Sequence, residues 1–225
     1  VYKFLGLNEF LTEAAKTNPI NPYGETKLEV EKILKALFKK EKNLWRISIL
    51  RYFNPIGAHF SGMIGEDPQG FPNNLFPLIT KAASGEMDKL QIYGNDWPTA
   101  DGTAIRDYIH VMDLAEAHYL ALKNLMEYKS KLSILNIGTG IGTSVLEIVK
   151  TFESVNKCSI PYEFADRREG DCPFVVADNK LSLKTLNWSP KLNLKRMCID
   201  GWNWKLKNPN GCLLYTSDAA DDLLC

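Results

Sequence analysis

Apolar residues in the first part of the chain follow two different periods. From Asn21 to about Lys42 they return every three or four positions among Glu and Lys residues, which predicts an amphipathic helix. Asn21 is a favourable N-cap residue and Pro22 suits the first helical position. Residues 44–53 are nearly continuously apolar or β-favouring, as in a strand that is covered on both faces. The apolar stripe of the helix consists of Leu28, Ile33, Leu34, Leu37 and Phe38.

The alternation of helices and strands continues along the chain and predicts an α/β architecture. Residues 1–20 are interpreted as a strand end and a loop. Gly and Pro residues interrupt 54–75, which predicts a long binding loop. Residues 138–142 follow a strand and are interpreted as a tight turn. Further helices are predicted at about 74–84, 113–128, 144–156, 179–186 and 195–207, and further strands at 90–93, 105–111, 134–138 and 161–165.

Composition and charge exclude several classes of function. The 225 residues carry 27 Lys and Arg against 27 Asp and Glu, so there is no basic surplus to bind nucleic acid. No apolar run reaches the length of a membrane-spanning helix. The five cysteines form no Cys-x-x-Cys pair and the three histidines have no metal-ligand spacing, so we expect free thiols in a reducing cytosol and no metal site.

Tyr23 and Lys27 are the first candidates for chemistry. They lie four positions apart and therefore share one face of the predicted helix. A cation beside a phenol favours the phenolate, which makes Tyr23 a candidate acid or base near neutral pH. The spacing alone proves little, because Tyr119 and Lys123 have the same spacing.

The surrounding motifs resemble one enzyme family. Residues 21–27 (NPYGETK) are similar to the active-site helix of the extended short-chain dehydrogenase/reductases, and 51–59 (RYFNPIGAH) to the nucleotide-sugar enzymes among them. The whole ordered set resembles the UDP-glucose 4-epimerases, over residues 1 to about 211. Its other members are 64–75, 93–96, 101–103, 106–113 and 167–171.

The resemblance implies a tightly held NAD and the inversion of C4 of a UDP-hexose through a 4-keto sugar. Tyr23 would take the proton of the C4 hydroxyl, while Lys27 would hold the nicotinamide ribose and lower the pKa of Tyr23. Phe53 would pack beside the nicotinamide. The family also implies a homodimer, paired through helices that include the Tyr23 helix. The implied substrate-binding residues are Asn54, Asn74, Leu75, Gln91, Ile92, Tyr93, Arg106, Arg168 and Asp171.

Several of these residues have simpler interpretations. Phe53 also suits a strand core, and residues 91–93 an ordinary edge strand. Asn74 and Leu75 begin a helix, whose free N–H groups suit a phosphate but also need nothing beyond a cap. Arg106 and Arg168 suit a pyrophosphate because guanidinium groups present forked donors, and each alone also suits a surface salt bridge.

The chain also departs from the family pattern. It has no Gly-rich dinucleotide turn after an initial strand, and the catalytic Ser or Thr of the family would lie upstream of Val1-Tyr2. We therefore interpret the chain as a piece without its true N-terminus. Lys3 stands where the family usually has Gly, and Val175 where it usually has a residue that contacts the sugar nucleotide. Residues 212–225 resemble translated adapter sequence and are interpreted as a non-native tail.

These observations predict the C-terminal part of a Rossmann-like doubly wound parallel sheet plus a smaller α/β substrate-binding domain. Residues 1–55 would be the remnant of the NAD-binding domain. Residues 56–211 would mainly bind the UDP-sugar, with some elements returning to the Rossmann sheet. Two alternatives remain open: a 4-epimerase of a UDP-uronic acid, UDP-pentose or UDP-N-acetylhexosamine, and a non-catalytic UDP-binding module. We expect the 225 residues alone neither to epimerise nor to hold NAD.

Overall fold

The computed structural model describes residues 6, 9–19, 22–68 and 70–211. It confirms the predicted mixed α/β class with parallel strand pairs. The helices are α1 Pro22–Lys40, α2 Leu75–Ala83, α3 Val111–Met126, α4 Val145–Asn156, α5 Lys180–Leu186 and α6 Leu194–Lys207. The strands are β1 Arg46–Tyr52, β2 Asn54–Ile56, β3 Leu90–Tyr93, β4 Ile105–His110, β5 Lys131–Ile137, β6 Gly142–Ser144, β7 Tyr162–Ala165 and β8 Phe174–Val175.

The first sheet joins two strands that are far apart in the sequence. β1 and β5 are parallel and in register from Arg46 opposite Lys131 to Tyr52 opposite Ile137. The amide of Phe53 extends this ladder by donating to the carbonyl of Ile137 at 3.1 Å. The chain therefore returns to β1 after the predicted binding loop and α3, and both strands end at the same edge of the sheet.

Three short strands were not predicted. β2 lies inside the region that was interpreted as loop, and pairs in parallel with β4. β6 begins at the end of the predicted 138–142 turn and runs antiparallel to β4, while β8 pairs with β4 in parallel. Segments of two or three residues are too short to show a hydrophobic period, so their pairing depends on β4 rather than on their own sequence. The remaining pair, β3 and β7, is parallel.

Two apolar cores hold these elements together. One lies between α2, α4, α6 and β3, where Phe152, Ile79, Leu90 and Ile148 are fully buried. The other lies between α3, α5 and the strands, and includes Ile109, Leu135, Ile137 and Trp188. Burial of such large side chains contributes about 1.5–3 kcal/mol each, so the two cores are the main source of stability.

The face of α1 differs from the prediction. Leu28, Leu34, Leu37 and Phe38 are half-buried, but Ile33 is 57 % exposed and Val30 is 51 % exposed. The buried residues of this helix are Gly24 and Glu31. A polar contact therefore supplements the expected apolar stripe. The predicted N-cap Asn21, most of the 1–8 segment and the 212–225 tail lie outside the described residues.

Two searches of the described residues concern membranes and metals. In that part of the chain no helix combines the length and the apolar character that crossing a bilayer requires. The same residues contain no group of three or more His, Cys, Asp and Glu side chains arranged to hold a metal ion.

Candidate functional site

Tyr23 and Lys27 lie in the first two turns of α1 and contact each other. Lys27 Nζ is 5.0 Å from the centroid of the Tyr23 ring, within the range of a cation–π contact. The Tyr23 side chain is 68 % exposed, and Lys27 is exposed as well. The two residues of the predicted pair are therefore in contact on the surface of α1.

A buried ion pair fixes α1 against β1. Arg51 Nε and Nη2 each donate to one carboxylate oxygen of Glu31 at 2.6 Å, and Arg51 Nη1 donates to the carbonyl of Glu13 at 3.0 Å. Burial disfavours the charged carboxyl, but the hydrogen bonds from Arg51 and Lys35 outweigh it and leave the pKa of Glu31 below its ordinary value. Because the fork is bidentate, it fixes the orientation of α1 as well as its distance.

The ends of β1 and β5 place two predicted residues at one sheet edge. Phe53 follows β1 directly and is half-buried, beside Gly138, which follows β5. Asn54 opens β2, is exposed, and lies opposite Tyr108 of β4. Ligands of open α/β sheets bind outside the carboxyl ends of the strands, which is where Phe53 and Asn54 lie.

The N-terminus of α2 has no side-chain cap from its N-cap residue. Asn74 occupies the N-cap position without a side-chain cap, and its Nδ2 donates instead to Glu66 Oε1 at 3.0 Å. Leu75, the next residue, packs against the apolar core. The role of this helix N-terminus as an anion site stays a prediction.

Arg106 and Asp171 are brought together. Arg106 Nη2 lies 3.3 Å from Asp171 Oδ1, and Arg106 Nη1 donates to the carbonyls of Cys172 and Ile105 at 2.7 and 2.9 Å. The arginine side chain is 17 % exposed and the aspartate 36 %. The structure thus joins Arg106 with Asp171, two of the predicted substrate-binding residues.

A second group forms on β3. Tyr93 donates its phenol hydrogen to Gln91 Oε1 at 3.0 Å, and the guanidinium carbon of Arg168 lies 3.8 Å from the centroid of the Tyr93 ring. Ile92 points the other way, since its side chain is 1 % exposed within the core. Only the main chain of Ile92 is therefore placed to contact a ligand.

Asp107 is a structural centre that the sequence analysis did not single out. Its buried carboxylate accepts from the amides of Thr139, Gly140 and Ala177 and from the Thr139 hydroxyl, at 2.7–3.2 Å. Burial raises the pKa of Asp107 in spite of these four hydrogen bonds. The amides of the 138–140 turn are thus used by a carboxylate, in agreement with a tight turn rather than a phosphate loop.

His110 joins β4, α3 and α6. Its Nδ1 accepts from the amide of Met112 at 3.0 Å and caps α3, so Nε2 carries the hydrogen and faces Asp200 Oδ2 at 3.2 Å. Arg196 Nε also donates to this carboxylate oxygen, at 2.6 Å. Burial lowers the pKa of His110, although Asp200 opposes that shift. Nothing in the sequence except the succession of polar residues on β4 hints at this network.

A surface cavity lies elsewhere. Its volume is about 320 Å³ and it is lined by α4 side chains together with Asp101 and Lys195. None of the predicted site residues lines it. Seven of the predicted residues instead form three groups, which are Tyr23 with Lys27, Arg106 with Asp171, and Gln91 and Tyr93 with Arg168.

Comparisons with known proteins agree on one family. The model of the NAD dependent epimerase/dehydratase family matches residues 6–138. The UDP-glucose 4-epimerase of Bacillus subtilis is 49 % identical over 201 residues, which is 89 % of this chain and 59 % of that protein. The chain thus spans about three fifths of the length of this curated relative.

Solved structures show the same similarity. A UDP-glucose 4-epimerase from Bifidobacterium longum, in complex with NAD+ and UDP, superposes with a TM-score of 0.85 at 44 % identity, over 90 % of this chain and 60 % of that chain. The enzyme from Stenotrophomonas maltophila, with bound NAD and formylated UDP-arabinopyranose, gives a TM-score of 0.85 at 44 % identity over 88 % and 59 %. The family model covers more than half of the chain, and the chain therefore belongs to the NAD dependent epimerase/dehydratase family.

Proposed function

We propose that the whole protein interconverts UDP-glucose and UDP-galactose by NAD-dependent inversion of C4. The relatives that support this are UDP-glucose 4-epimerases, and the match extends over 89 % of the chain at 49 % identity. The observation that carries the proposal is the exposed contact between Tyr23 and Lys27 on a helix that the Glu31–Arg51 pair fixes against β1. Tyr119 and Lys123, with the same spacing on α3, belong to none of the three groups.

The residues present fit the nicotinamide end of NAD. Tyr23 and Lys27 are exposed on α1, and Phe53 is half-buried just past the carboxyl end of β1. A lysine ammonium suits the ribose hydroxyls, while an aromatic ring suits the flat face of a nicotinamide. Bound NAD supplies the acceptor and later the donor of the hydride.

The side chains of this chain then have separate roles. Tyr23 removes the proton of the C4 hydroxyl and returns it after the sugar has turned, which is general base and then general acid catalysis at the phenol oxygen. Lys27 keeps a positive charge 5.0 Å from that ring and stabilises the phenolate. Asn54, at the start of β2, hydrogen-bonds the sugar-phosphate in this proposal.

The nucleotide is bound farther from the chemistry. Arg106 and Arg168 supply the positive charge for the pyrophosphate, with the N-terminus of α2 at Asn74 and Leu75 as a further anion site. Asp171 accepts from ribose hydroxyls, and the Arg106–Asp171 contact at 3.3 Å is long enough to be replaced by stronger contacts with substrate. Gln91 and Tyr93, with the main chain of Ile92, lie along the uridine.

Another UDP-sugar is the second candidate substrate. Val175 lies on β8 in register with Arg106 of β4, so the residue that departs from the family pattern is beside a proposed pyrophosphate ligand. The departure at this position leaves the acceptance of N-acetylated hexoses open. For this reason UDP-N-acetylhexosamines belong in the same assay as UDP-galactose.

The proposal includes a cytoplasmic homodimer and the division of the chain into a cofactor part and a substrate part. Ile33 and Val30 are large apolar residues on the outside of α1, and such residues support pairing through this helix. The pairing of β5 with β1 supports the return of later elements to the cofactor-binding sheet.

The direct test is turnover by the full-length protein with each UDP-sugar in turn. We expect rapid conversion of UDP-galactose and slower conversion of UDP-uronic acids, UDP-pentoses and UDP-N-acetylhexosamines. Rapid turnover of one of those sugars with none of UDP-galactose would reject the proposed substrate. Failure to turn over or bind any UDP-sugar would reject the reaction class.

A further inference from the structure

Arg167 has no role in the proposed function so far. Its side chain binds the loop that follows β3. Its Nε donates to Asp96 Oδ1 and its Nη2 to the main-chain carbonyl of Asp96, both at 2.7 Å. Its guanidinium carbon also lies 4.0 Å from the centroid of the Trp97 ring. We call Asp96, Trp97 and Arg167 the Arg167 clasp. Its hydrogen bonds and stacking use the planar fork of an arginine, which a lysine cannot reproduce.

The loop that Arg167 binds is also held by contacts between its own residues. Trp97 donates its amide to the carbonyl of Gly102 at 2.9 Å, and its ring lies directly against Gly94. A Cβ atom at Gly94 would be 2.4 Å from Trp97 Nε1 and 3.1 Å from Arg167 Cγ, and Gly94 has φ +79°. Only glycine fits this position, so the ring and the arginine pack closely against the end of β3.

Arg168 immediately follows the clasp. While Arg167 stacks on Trp97, Arg168 stacks on Tyr93 at 3.8 Å, so consecutive arginines cover two rings of the same loop and strand. The amide of Asp171 then donates to the carbonyl of Arg168 at 3.2 Å, which places the Asp171 carboxylate at Arg106. Arg168, which directly follows Arg167, and Asp171, whose amide bonds to Arg168, are both proposed nucleotide ligands. The clasp therefore lies next to these two ligands in the chain.

The segment that carries these ligands is exposed, since residues 166–171 all lie at the surface. An exposed arginine loses side-chain and backbone freedom when it binds a phosphate, and that loss opposes binding. A contact that restrains the segment beforehand removes part of this cost. The hydrogen bond from Arg167 holds the pKa of the Asp96 carboxyl below its ordinary value, which shows that the contact stabilises the carboxylate.

We infer that Arg167 is a positioning residue for the nucleotide. By binding Asp96 and Trp97, it orders Arg168 and Asp171 before a UDP group arrives. This inference rests on the proposed function, because it takes UDP as the ligand of Arg168. Arg167 itself is bound to the loop and does not need to touch the substrate. Replacing the Arg167 side chain changes the order of Arg168, and it therefore affects UDP binding rather than the chemical step.

The test measures UDP binding by calorimetry, and KM and kcat for UDP-galactose, with the full-length protein. For Arg167→Ala we expect UDP affinity to fall and KM to rise by about threefold to tenfold, the size of a well-oriented ion pair and its stacking, with kcat within about twofold. Asp96→Asn keeps the arginine and its stacking, and should give a smaller change in the same direction. The two effects should not add in the double variant, since both break one contact.

Lys89→Ala is the matched control. Lys89 forms an ion pair with Glu163 at 3.1 Å, which joins the same two strands, and its side chain is 58 % exposed. This variant should leave UDP affinity and KM unchanged. If Lys89→Ala weakens UDP as much as Arg167→Ala does, the clasp merely stabilises the β3–β7 pair and the inference is wrong.

Other outcomes are equally decisive. Unchanged UDP affinity in both Arg167→Ala and Asp96→Asn, with a wild-type protein that binds UDP, overturns the inference and leaves the proposed function standing. A fall in kcat at constant KM also overturns it. If Arg167→Ala does not fold, Asp96→Asn alone decides by its effect on KM. A wild-type protein that binds no UDP removes the proposed function and, with it, this role of Arg167.

Discussion

At the scale of single residues, the proposed chemistry depends on the Tyr23 phenol and its surroundings. The ring is mostly exposed and has the Lys27 ammonium 5.0 Å from its centroid. An exposed acid/base residue with a cation beside it can exchange a proton with a ligand without moving other side chains. Its role is therefore testable by removal of a single oxygen atom.

We expect Tyr23→Phe to lower kcat for UDP-galactose by about 10²–10⁴-fold, the range for loss of a general acid or base, while UDP affinity stays unchanged. Turnover and calorimetry with UDP on the full-length protein measure the two quantities. Tyr119→Phe is the control, because Tyr119 also precedes a lysine by four positions and is 64 % exposed. A full-rate Tyr23→Phe enzyme would remove the phenol from the mechanism.

At the scale of elements, buried polar contacts determine how the helices are oriented. Glu31 ties α1 to β1 through Arg51, and the His110–Asp200 contact ties β4 to α6. A helix held by an apolar stripe alone can slide along its neighbour at little cost, whereas a bidentate ion pair permits one register. The position of Tyr23 thus depends on a contact two turns farther along α1.

Glu31→Gln should destabilise the protein by about 3 kcal/mol, because it removes the negative charge from a buried ion pair in which Arg51 donates to both carboxylate oxygens. The side chains of the pair are 9 % and 10 % exposed. Urea unfolding measures the change in the free energy of unfolding. Glu29→Gln removes a similar ion pair on the same helix whose partners are about 60 % exposed, and should cost less than about 0.5 kcal/mol. Equal effects of the two changes would show that Arg51 is not dependent on Glu31.

The free energy of unfolding should fall as the pH drops below 6.5. Burial lowers the pKa of His110 from its ordinary value of 6.5, so the unfolded chain takes up a proton that the folded protein resists. The stability that the neutral His110 ring contributes is complete above pH 6.5. It is lost as the pH falls through the pKa that His110 has in the folded protein. The charged groups that face the ring are Asp200 and Arg196 of α6 and Asp113 of α3.

Urea unfolding between pH 7.5 and pH 5 tests this dependence. His110→Gln should be less stable than wild type at pH 7.5 and should show a shallower pH dependence. The control is His118→Gln, on the exposed side of α3, which should keep the wild-type slope. An unchanged slope in His110→Gln would assign the pH dependence to other groups.

At the scale of the whole molecule, the exposed face of α1 bears on assembly. Val30 and Ile33 are 51 % and 57 % exposed although they lie in a helix that is otherwise rich in Lys and Glu. Two large apolar side chains at i and i+3 form one patch on the helix surface. A partner that covers this patch gains stability, and a second copy presents the same patch.

We expect Ile33→Glu to convert the proposed homodimer to a monomer, because a buried carboxylate at a symmetric contact meets its own copy. Sedimentation of the full-length protein at equal concentrations measures the change. Leu206→Glu is the control, since Leu206 of α6 is also exposed, at 61 %, but lies on another helix. A dimer that survives Ile33→Glu would place the interface away from this face.

The order of helices and strands could be predicted from periodicity and caps, because both depend on residues close in sequence. Ser144 illustrates this, since it forms a capping box with Glu147 at the start of α4. The motifs that contain Tyr23, Arg106 and Arg168 could likewise be recognised from sequence. Their assignment to catalysis and to binding stays a prediction until the variants are measured.

Contacts between distant segments were beyond such reasoning. The return of β5 to β1, the pairing of β2, β6 and β8 with β4, and the exposure of Ile33 all depend on packing between elements. The same applies to the hydrogen bond from Arg167 to Asp96, which joins residues 71 positions apart. Periodicity and capping depend on near neighbours, so the chain alone was enough to specify its helices, its longer strands and its family. Which charged side chains face each other depends on how those elements pack, and that emerges only in three dimensions.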